Sequence, residues 1–190
     1  MIRSNDSQCM GDAMTEFRRK QLVMTAFSLP AFVVVALVLS QAKSLFGFVT
    51  LPEDEPAARL AFVVRWLFIP ACTLAVGIQF AARRGFYADA IDGTRFPTRN
   101  SLEINLRYNQ NTLEQLVLAA VTWLNLSLVV SHENLAIIPA MASLFVVGRL
   151  TFWVGYLIQP VTRAFGMILT ALPTIGSILW LILHWAPINT

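Results

Sequence analysis

The sequence predicts an all-α helical bundle that is integral to a membrane. Hydrophobic residues make up 56% of the 190 positions and charged residues only 13%, whereas an ordinary soluble domain carries about 25% charged residues. A water-facing surface cannot be assembled from so few charges, and a chain this apolar is not disordered. Five apolar runs reach or approach the roughly 20 residues that a helix needs to cross a bilayer. None alternates polar and apolar residues as membrane-barrel strands do, so helices are expected.

The first apolar run, residues 21–48, is predicted to be an extra N-terminal transmembrane helix. It follows a polar segment, residues 1–20, that ends in three consecutive basic residues. A positive flank, an apolar run and small residues at 40–42 are also features of a cleaved secretory signal. The run is long for a signal and contains Pro30, which favours a retained membrane helix. Removal as a signal stays the alternative.

Four further apolar runs complete the predicted bundle. Acidic residues at 53–55 separate the first run from the second, and a longer connection, residues 83–107, separates the second from the third. Neither connection reads as a separate soluble domain, so we expect one membrane unit over residues 60–187. The four predicted spans are residues 60–82, 112–130, 135–158 and 165–185.

Positive side chains are distributed unequally between the two sides of this bundle. Ten lie in the amino-terminal segment, in the 83–107 connection or just before the fifth span, and two lie on the other side. Positively charged connections stay in the cytoplasm. We therefore expect a multi-pass protein of a bacterial inner membrane, with residues 1–20 and 83–107 cytoplasmic and the carboxyl end outside.

The composition also argues against several partners. The net charge is +3, but the basic residues are scattered among apolar runs and form no tract with exposed aromatic residues, so no nucleic acid is expected. The two cysteines, Cys9 and Cys72, do not have the spacing of metal ligands, so no metal site is expected either. Cys72 lies inside an apolar run, where a small buried hydrophobic residue is the ordinary role.

One set of polar residues lies where the third span begins. Arg107, Asn111 and Glu114 are spaced i, i+4 and i+7, which places them on one face of a helix. Arg107 would lie at the cytoplasmic edge, and Glu114 about 10 Å deeper at 1.5 Å per residue. A charge at depth costs about 2.5 kcal/mol or more, so Glu114 needs a partner or a function.

A second set runs along the fourth span. Arg149, Tyr156 and Arg163 are spaced i, i+7 and i+14, close to a single stripe, unless Pro160 ends the helix first. Arg149 would lie near the middle of the membrane and Arg163 near the cytoplasmic edge. A buried ion pair between Arg149 and Glu114 is the expected way to satisfy both charges.

Such an ion pair, with Asn111 and Tyr156 as hydrogen-bonding partners between helices, would explain both sets of polar residues as structural contacts without any ligand. It does not account for the arginines that converge on the same cytoplasmic rim. Their excess over one carboxylate predicts a small anionic ligand that enters between the helices from the cytoplasm. The rim arginines are Arg83, Arg84, Arg107 and Arg163.

The two sets together resemble the pattern of the membrane-associated proteins in eicosanoid and glutathione metabolism, the MAPEG family. The paired arginines in Ala82-Arg83-Arg84-Gly85-Phe86 are similar to a segment of the family's cysteinyl-leukotriene synthases. The resemblance covers residues 60–187. The residues that carry it are Arg107-x3-Asn111-x2-Glu114 and Gly148-Arg149-x5-Gly155-Tyr156-x6-Arg163.

The resemblance implies four membrane helices per subunit and a homotrimer, with glutathione bound as co-substrate between neighbouring subunits near the cytoplasmic face. It implies catalytic roles for Arg163, beside the glutathione sulfur, and for Arg84, near the second substrate. It also implies a set of residues that bind glutathione. These are Arg83, Arg107, Asn109, Asn111, Glu114, Arg149 and Tyr156.

The implied chemistry is consistent with these residue types. Glutathione has two carboxylates that arginines can bind, an ammonium that Glu114 can bind, and a thiol that a nearby guanidinium such as Arg163 would acidify. The resulting thiolate is the nucleophile that conjugation requires. The resemblance therefore predicts a membrane-bound glutathione transferase, with peroxidase activity as a further option, that acts on a lipophilic electrophile from the membrane lipid.

The sequence also departs from the family pattern. Phe152 stands where the synthases have a tyrosine near the thiol, and residues 163–167 lack the hydroxyl groups of the family's prostaglandin E synthases. Many family members bind lipid without catalysis, so a non-enzymatic lipid-binding or scaffold protein on the same fold is the alternative. A transporter is disfavoured because no pair of short, glycine- or proline-interrupted spans marks a midplane site.

Overall fold

The computed structural model of the chain describes residues 3–88, 90–92, 100–159 and 161–185. Every regular element within those ranges is helical. The helices are α1 (Arg3–Ser40), α2 (Ala42–Leu45), α3 (Pro56–Ala82), α4 (Asn100–Val129), α5 (Ile137–Ile158) and α6 (Ala164–Trp185), with short 3-10 turns at Arg83–Phe86 and His132–Ala136. Apart from α2, each helix is long and apolar enough to cross a membrane. The predicted all-α membrane bundle is thus confirmed.

Two helices begin well before the apolar runs that predicted them, and α1 also ends before its run does. α1 begins at Arg3 and ends at Ser40, whereas the predicted first span covers residues 21–48. α4 begins at Asn100, well before the predicted start at residue 112. Hydropathy marks only the segment that a bilayer can bury, whereas helical hydrogen bonding continues into polar sequence. Ion pairs spaced i, i+4 support both polar extensions.

Arg59 connects α3 to α4 at the end of the bundle where α3 begins and α4 ends. Its Nη1 atom donates hydrogen bonds of 2.8 Å to the backbone oxygens of Ser127 and Val130, and its guanidinium forms an ion pair with Asp54. The last carbonyl groups of a helix have no partner within the helix, and a cation is favourable at that end. Arg59 therefore joins α3 to the carboxyl end of α4.

α5 and α6 cross with their backbones in contact at two glycines. A Cβ atom at Gly148 would lie 2.9 Å from the backbone oxygen of Gly166. A Cβ atom at Gly166 would approach the backbone of Gly148 and Phe152 even more closely. Small residues allow such close crossings in membrane bundles. The crossing determines how the side chains of α5 face the beginning of α6.

We expect Gly166→Ala to lower the free energy of unfolding by about 1–3 kcal/mol, because the two backbones must separate to admit a methyl group. The measurement is the midpoint of thermal unfolding in detergent, followed by tryptophan fluorescence. Gly176→Ala on the same helix is the matched control, since no neighbouring atom lies within 4 Å of its added Cβ. An unfolding midpoint for Gly166→Ala as high as that of the control would contradict the close crossing.

α1 packs tightly on the bundle only through its carboxyl-terminal part. Ala31 and Val35 are buried in a cluster with residues of α5 and α6, whereas residues 14–29 are exposed or half-buried. Pro30 lies at the boundary between the two parts and lacks the N–H group for a helical hydrogen bond. The amino-terminal part of α1 therefore stands away from the other helices and leaves space beside them.

Candidate functional site

A cavity of about 830 Å³ lies between the amino-terminal parts of α1, α4 and α6 and the carboxyl end of α5. This volume is in the range of small-molecule sites, about 300–1,000 Å³. Its polar lining consists of Lys20, Gln21, Ser28, Arg107, Gln110, Asn111, Glu114, Tyr156 and Arg163. Its apolar lining consists of Phe17, Met24, Phe152, Val161, Ala164, Met167 and Ile168. Such a cavity suits a charged ligand that carries an apolar group or that reacts with an apolar second substrate.

The polar face predicted on α4 borders this cavity. Arg107, Asn111 and Glu114 all line it, as their spacing on one helix face predicts. The guanidinium of Arg107 donates hydrogen bonds of 3.0 and 2.7 Å to the carboxylate of Glu103. The carboxylate of Glu114 accepts a 2.8 Å hydrogen bond from the side-chain amide of Gln110. The α4 wall thus presents a cation, an amide and a carboxylate in order of increasing depth.

Arg149 lies behind this wall and does not line the cavity. Its side chain is fully buried, its Nη1 atom donates a 2.7 Å hydrogen bond to Oδ1 of Asn111, and its Nη2 atom donates to the hydroxyl of Thr170. The guanidinium also lies 4.6 Å from the centre of the Phe152 ring. Because Arg149 occupies the amide oxygen of Asn111, the NH₂ group of Asn111 is the donor left for a ligand.

The expected ion pair between Glu114 and Arg149 is wrong. Glu114 faces the cavity and bonds to Gln110, whereas Arg149 bonds to neutral oxygen atoms of Asn111 and Thr170. Residue spacing gives the face of each residue on its own helix, but not the rotation of one helix against the next. The orientation of α5 directs Arg149 towards the shared interior of α4 and α6, away from the cavity.

Arg163 and Tyr156 meet at the edge of the cavity. α5 ends at Ile158, so Arg163 lies in the turn before α6 and not on a stripe of α5. Pro160, the residue expected to interrupt that stripe, lies outside the described residues. The guanidinium carbon of Arg163 is 4.6 Å from the centre of the Tyr156 ring. Gly155 permits this approach, because a Cβ atom there would lie 2.9 Å from the backbone nitrogen of Arg163.

Besides Arg149, three further residues of the implied site lie outside the cavity of the single chain. The guanidinium of Arg83 lies 4.6 Å from the centre of the Phe80 ring. The Nε atom of Arg84 donates a 3.2 Å hydrogen bond to the backbone oxygen of Ala90. The Oδ1 atom of Asn109 is buried without a hydrogen-bond partner among the described residues. The fold of one chain thus does not bring these three to the residues that line the cavity.

Reasoning from the sequence missed several residues that complete the site. Gln110 precedes Glu114 by one helical turn, so the i, i+4 spacing was a usable signal. Thr170 is a hydroxyl residue inside an apolar run, which was a weaker signal for a partner of Arg149. Lys20 and Gln21 gave no signal, because nothing in the sequence states which helices α1 packs against.

Comparison with known proteins identifies the family. The sequence profile described as the MAPEG family matches residues 56–183, which include α3 to α6 up to residue 183. The chain belongs to the MAPEG family. Membership confirms the resemblance found in the sequence. It also confirms that the chain is a multi-pass membrane protein of this family. α1 and the part of the cavity wall that it supplies lie outside the MAPEG match.

Individual relatives of this MAPEG protein are distant. Transmembrane protein 79 of Mus musculus is 24% identical over 155 residues, which cover 79% of this chain and 39% of that protein. Transmembrane protein 79 of Bos taurus is 26% identical over 163 residues, with coverage of 79% and 39%. The chain thus spans well under half the length of these curated relatives. No solved structure matches the chain at a significant level.

Proposed function

We propose that this MAPEG protein is a membrane-bound glutathione transferase. The observation that supports this most directly is the charge pattern of the cavity, in which Arg107, Asn111, Glu114 and Arg163 border one space next to apolar side chains. Glutathione is a tripeptide with two carboxylates, one ammonium and one thiol. The arginines of the cavity could bind its anionic groups, and Glu114 could bind its ammonium. A lipophilic second substrate would find the apolar lining.

The α4 wall would bind the polar groups of glutathione. Arg107 would donate to a carboxylate, and Glu114 would accept from the ammonium, as charge-assisted hydrogen bonds. The NH₂ group of Asn111 would donate to a carbonyl or carboxylate oxygen, because Arg149 holds the amide by its oxygen atom. Arg149 is then a positioning residue that acts through Asn111.

Arg163 would activate the thiol. A guanidinium beside the sulfur stabilises the thiolate and lowers the pKa of the thiol, so that more of the nucleophile is present at neutral pH. The thiol proton goes to water. The thiolate sulfur then forms a bond to the electrophilic carbon of the second substrate while the bond from that carbon to its leaving group breaks. In the peroxidase option, two molecules of glutathione would reduce a lipid hydroperoxide to an alcohol and water and would themselves be oxidised to glutathione disulfide.

A homotrimer is part of this proposal. Arg83, Arg84 and Asn109 lie away from the cavity of the single chain. They could reach bound glutathione only from a neighbouring subunit, as the family arrangement implies. In that arrangement Arg84 would lie near the second substrate.

The test is titration calorimetry of the detergent-purified full chain with glutathione, followed by an assay of conjugation to a model aryl halide. We expect saturable binding and turnover. Absence of glutathione binding would overturn the proposal.

The apolar part of the cavity supports a second candidate function, the binding of lipid without catalysis. Met24, Phe152, Met167 and Ile168 line the same cavity as the polar groups and are suited to an acyl chain. Saturable binding of glutathione with neither thiolate formation nor turnover would favour this lipid-binding or scaffold function over the transferase.

We also propose that the cavity faces the cytoplasm of a bacterial inner membrane, because the sequence assigns ten basic residues to the segments that flank the predicted spans at that end and two to the other end. Alkaline phosphatase inserted at Gly93 is expected to be inactive, and the same reporter fused after Thr190 is expected to be active. A fluorescent protein that folds only in the cytoplasm provides the reverse control. An active phosphatase at Gly93 would place the cavity in the wrong compartment for cytoplasmic glutathione.

A further inference from the structure

α1 forms one wall of the cavity although it lies outside the residues that match the family, 56–183. Five side chains of α1 border the cavity, and their positions i, i+3, i+4, i+7 and i+11 place them on one helix face. From the first to the last, this face is about 16 Å long at 1.5 Å per residue, roughly half the thickness of a bilayer core. The five residues are Phe17, Lys20, Gln21, Met24 and Ser28.

Lys20 on α1, like Arg107 on α4, pairs with a glutamate one turn earlier on its own helix. The Nζ atom of Lys20 lies 2.7 Å from the carboxylate of Glu16, one turn earlier on the same helix. The Nη2 atom of Arg107 lies 2.7 Å from the carboxylate of Glu103, also one turn earlier. Exposed ion pairs of this kind contribute little to stability, because water screens both charges. Either cation can therefore exchange its partner for a carboxylate of a ligand in the cavity.

The charges of the lining match glutathione only when α1 is included. Glutathione with an ionised thiol carries three anionic groups, namely two carboxylates and the thiolate, and one ammonium. The cavity lining has three cations, Lys20, Arg107 and Arg163, and one carboxylate, Glu114. Without Lys20, two cations would face three anionic groups.

We propose that α1 is the fourth wall of the glutathione site and that Lys20 binds one of the two carboxylates of the tripeptide. This inference rests on the proposed function. It assigns Arg107 to the other carboxylate, Glu114 to the ammonium and Arg163 to the sulfur. The apolar residues Phe17 and Met24 of α1 then separate the bound tripeptide from the surrounding lipid on this side.

The first test compares two lysines. Lys20 and Lys43 are both exposed, with 57% and 55% of the side chain accessible, and each pairs with a glutamate. Lys43 lies at the far end of the bundle and does not border the cavity. By calorimetry on the full chain, Lys20→Met is expected to raise the Kd for glutathione about fivefold, as for the loss of one exposed charge contact. Lys43→Met and Lys20→Arg are expected to bind as the wild type does.

The second test measures protection by a ligand. In a background with Cys9 and Cys72 replaced by alanine, Gln21→Cys places a thiol on the cavity face of α1 and Leu22→Cys places one on the exposed opposite side. S-methylglutathione, which has no free thiol, is expected to slow the reaction of a water-soluble maleimide with the first variant. The same ligand is expected to leave the reaction of the second unchanged.

The outcomes separate this inference from the proposed function. Wild-type protein that binds no glutathione overturns the proposed function and the role of α1 together. Wild-type protein that binds glutathione, with Lys20→Met of equal affinity and no protection at residue 21, overturns the role of α1 alone. Weaker binding by Lys20→Met but not by Lys43→Met, with protection at residue 21, supports it.

Discussion

Replacing Arg163 by alanine is expected to lower the rate of conjugation by about 10²–10³, the usual effect of removing one preorganised charge from a reacting centre. The guanidinium of Arg163 lies against the Tyr156 ring at the edge of the cavity, so the positive charge is already beside the cavity before a ligand arrives. Glutathione should still bind, because Arg107, Asn111 and Glu114 remain. The loss should therefore appear in kcat more than in the Kd for glutathione.

Thiolate absorbance gives a direct readout of this role. Addition of glutathione to the wild type at neutral pH is expected to produce absorbance at about 240 nm, where thiolates absorb, because the guanidinium lowers the thiol pKa. Arg163→Ala should abolish the signal. Arg18→Ala is the matched control, since Arg18 is exposed on α1 and does not line the cavity. A full signal in Arg163→Ala would show that another group activates the thiol.

The sequence alone predicted much of the fold, for a clear physical reason. Each membrane helix needs a long apolar run, and charged residues are few inside such runs, so each span can be predicted by itself. The α4 face was equally readable, since Arg107, Asn111 and Glu114 follow the helical repeat. These predictions concern single helices and need no knowledge of packing.

Contacts between helices could not be predicted in the same way. The partner of Arg149 depends on the rotation of α5, which the contact of Gly148 with Gly166 sets. Its opposite charge made Glu114 the expected partner of Arg149, but the buried guanidinium of Arg149 donates to Asn111 and Thr170. The contribution of α1 was unpredictable for the same reason, since an apolar helix can pack on any side of a bundle.

Glu114→Gln is expected to weaken glutathione binding by about 10- to 100-fold, because hydrogen bonds to charged groups contribute about 1.5–3 kcal/mol. The carboxylate lies exposed to the cavity, where the ammonium of glutathione would replace or join the amide of Gln110. Calorimetry with a glutathione analogue that lacks the amino group completes the cycle. This analogue should bind the wild type as weakly as glutathione binds the variant, and the variant should bind both alike.

The same variant also tests the geometry around Arg149 through its stability. If Glu114 neutralised Arg149, removing its charge would leave a buried cation unpaired and destabilise the fold by about 3–5 kcal/mol. In the structure Glu114 bonds to Gln110 and not to Arg149, so the unfolding midpoint of Glu114→Gln should stay close to that of the wild type. Glu133→Gln, which removes the partner of Lys43 at the opposite end, is the matched control for both readouts. A fall in the unfolding midpoint well beyond that of the control would show that Glu114 does pair with Arg149. An unchanged affinity for glutathione would show that Glu114 does not bind it.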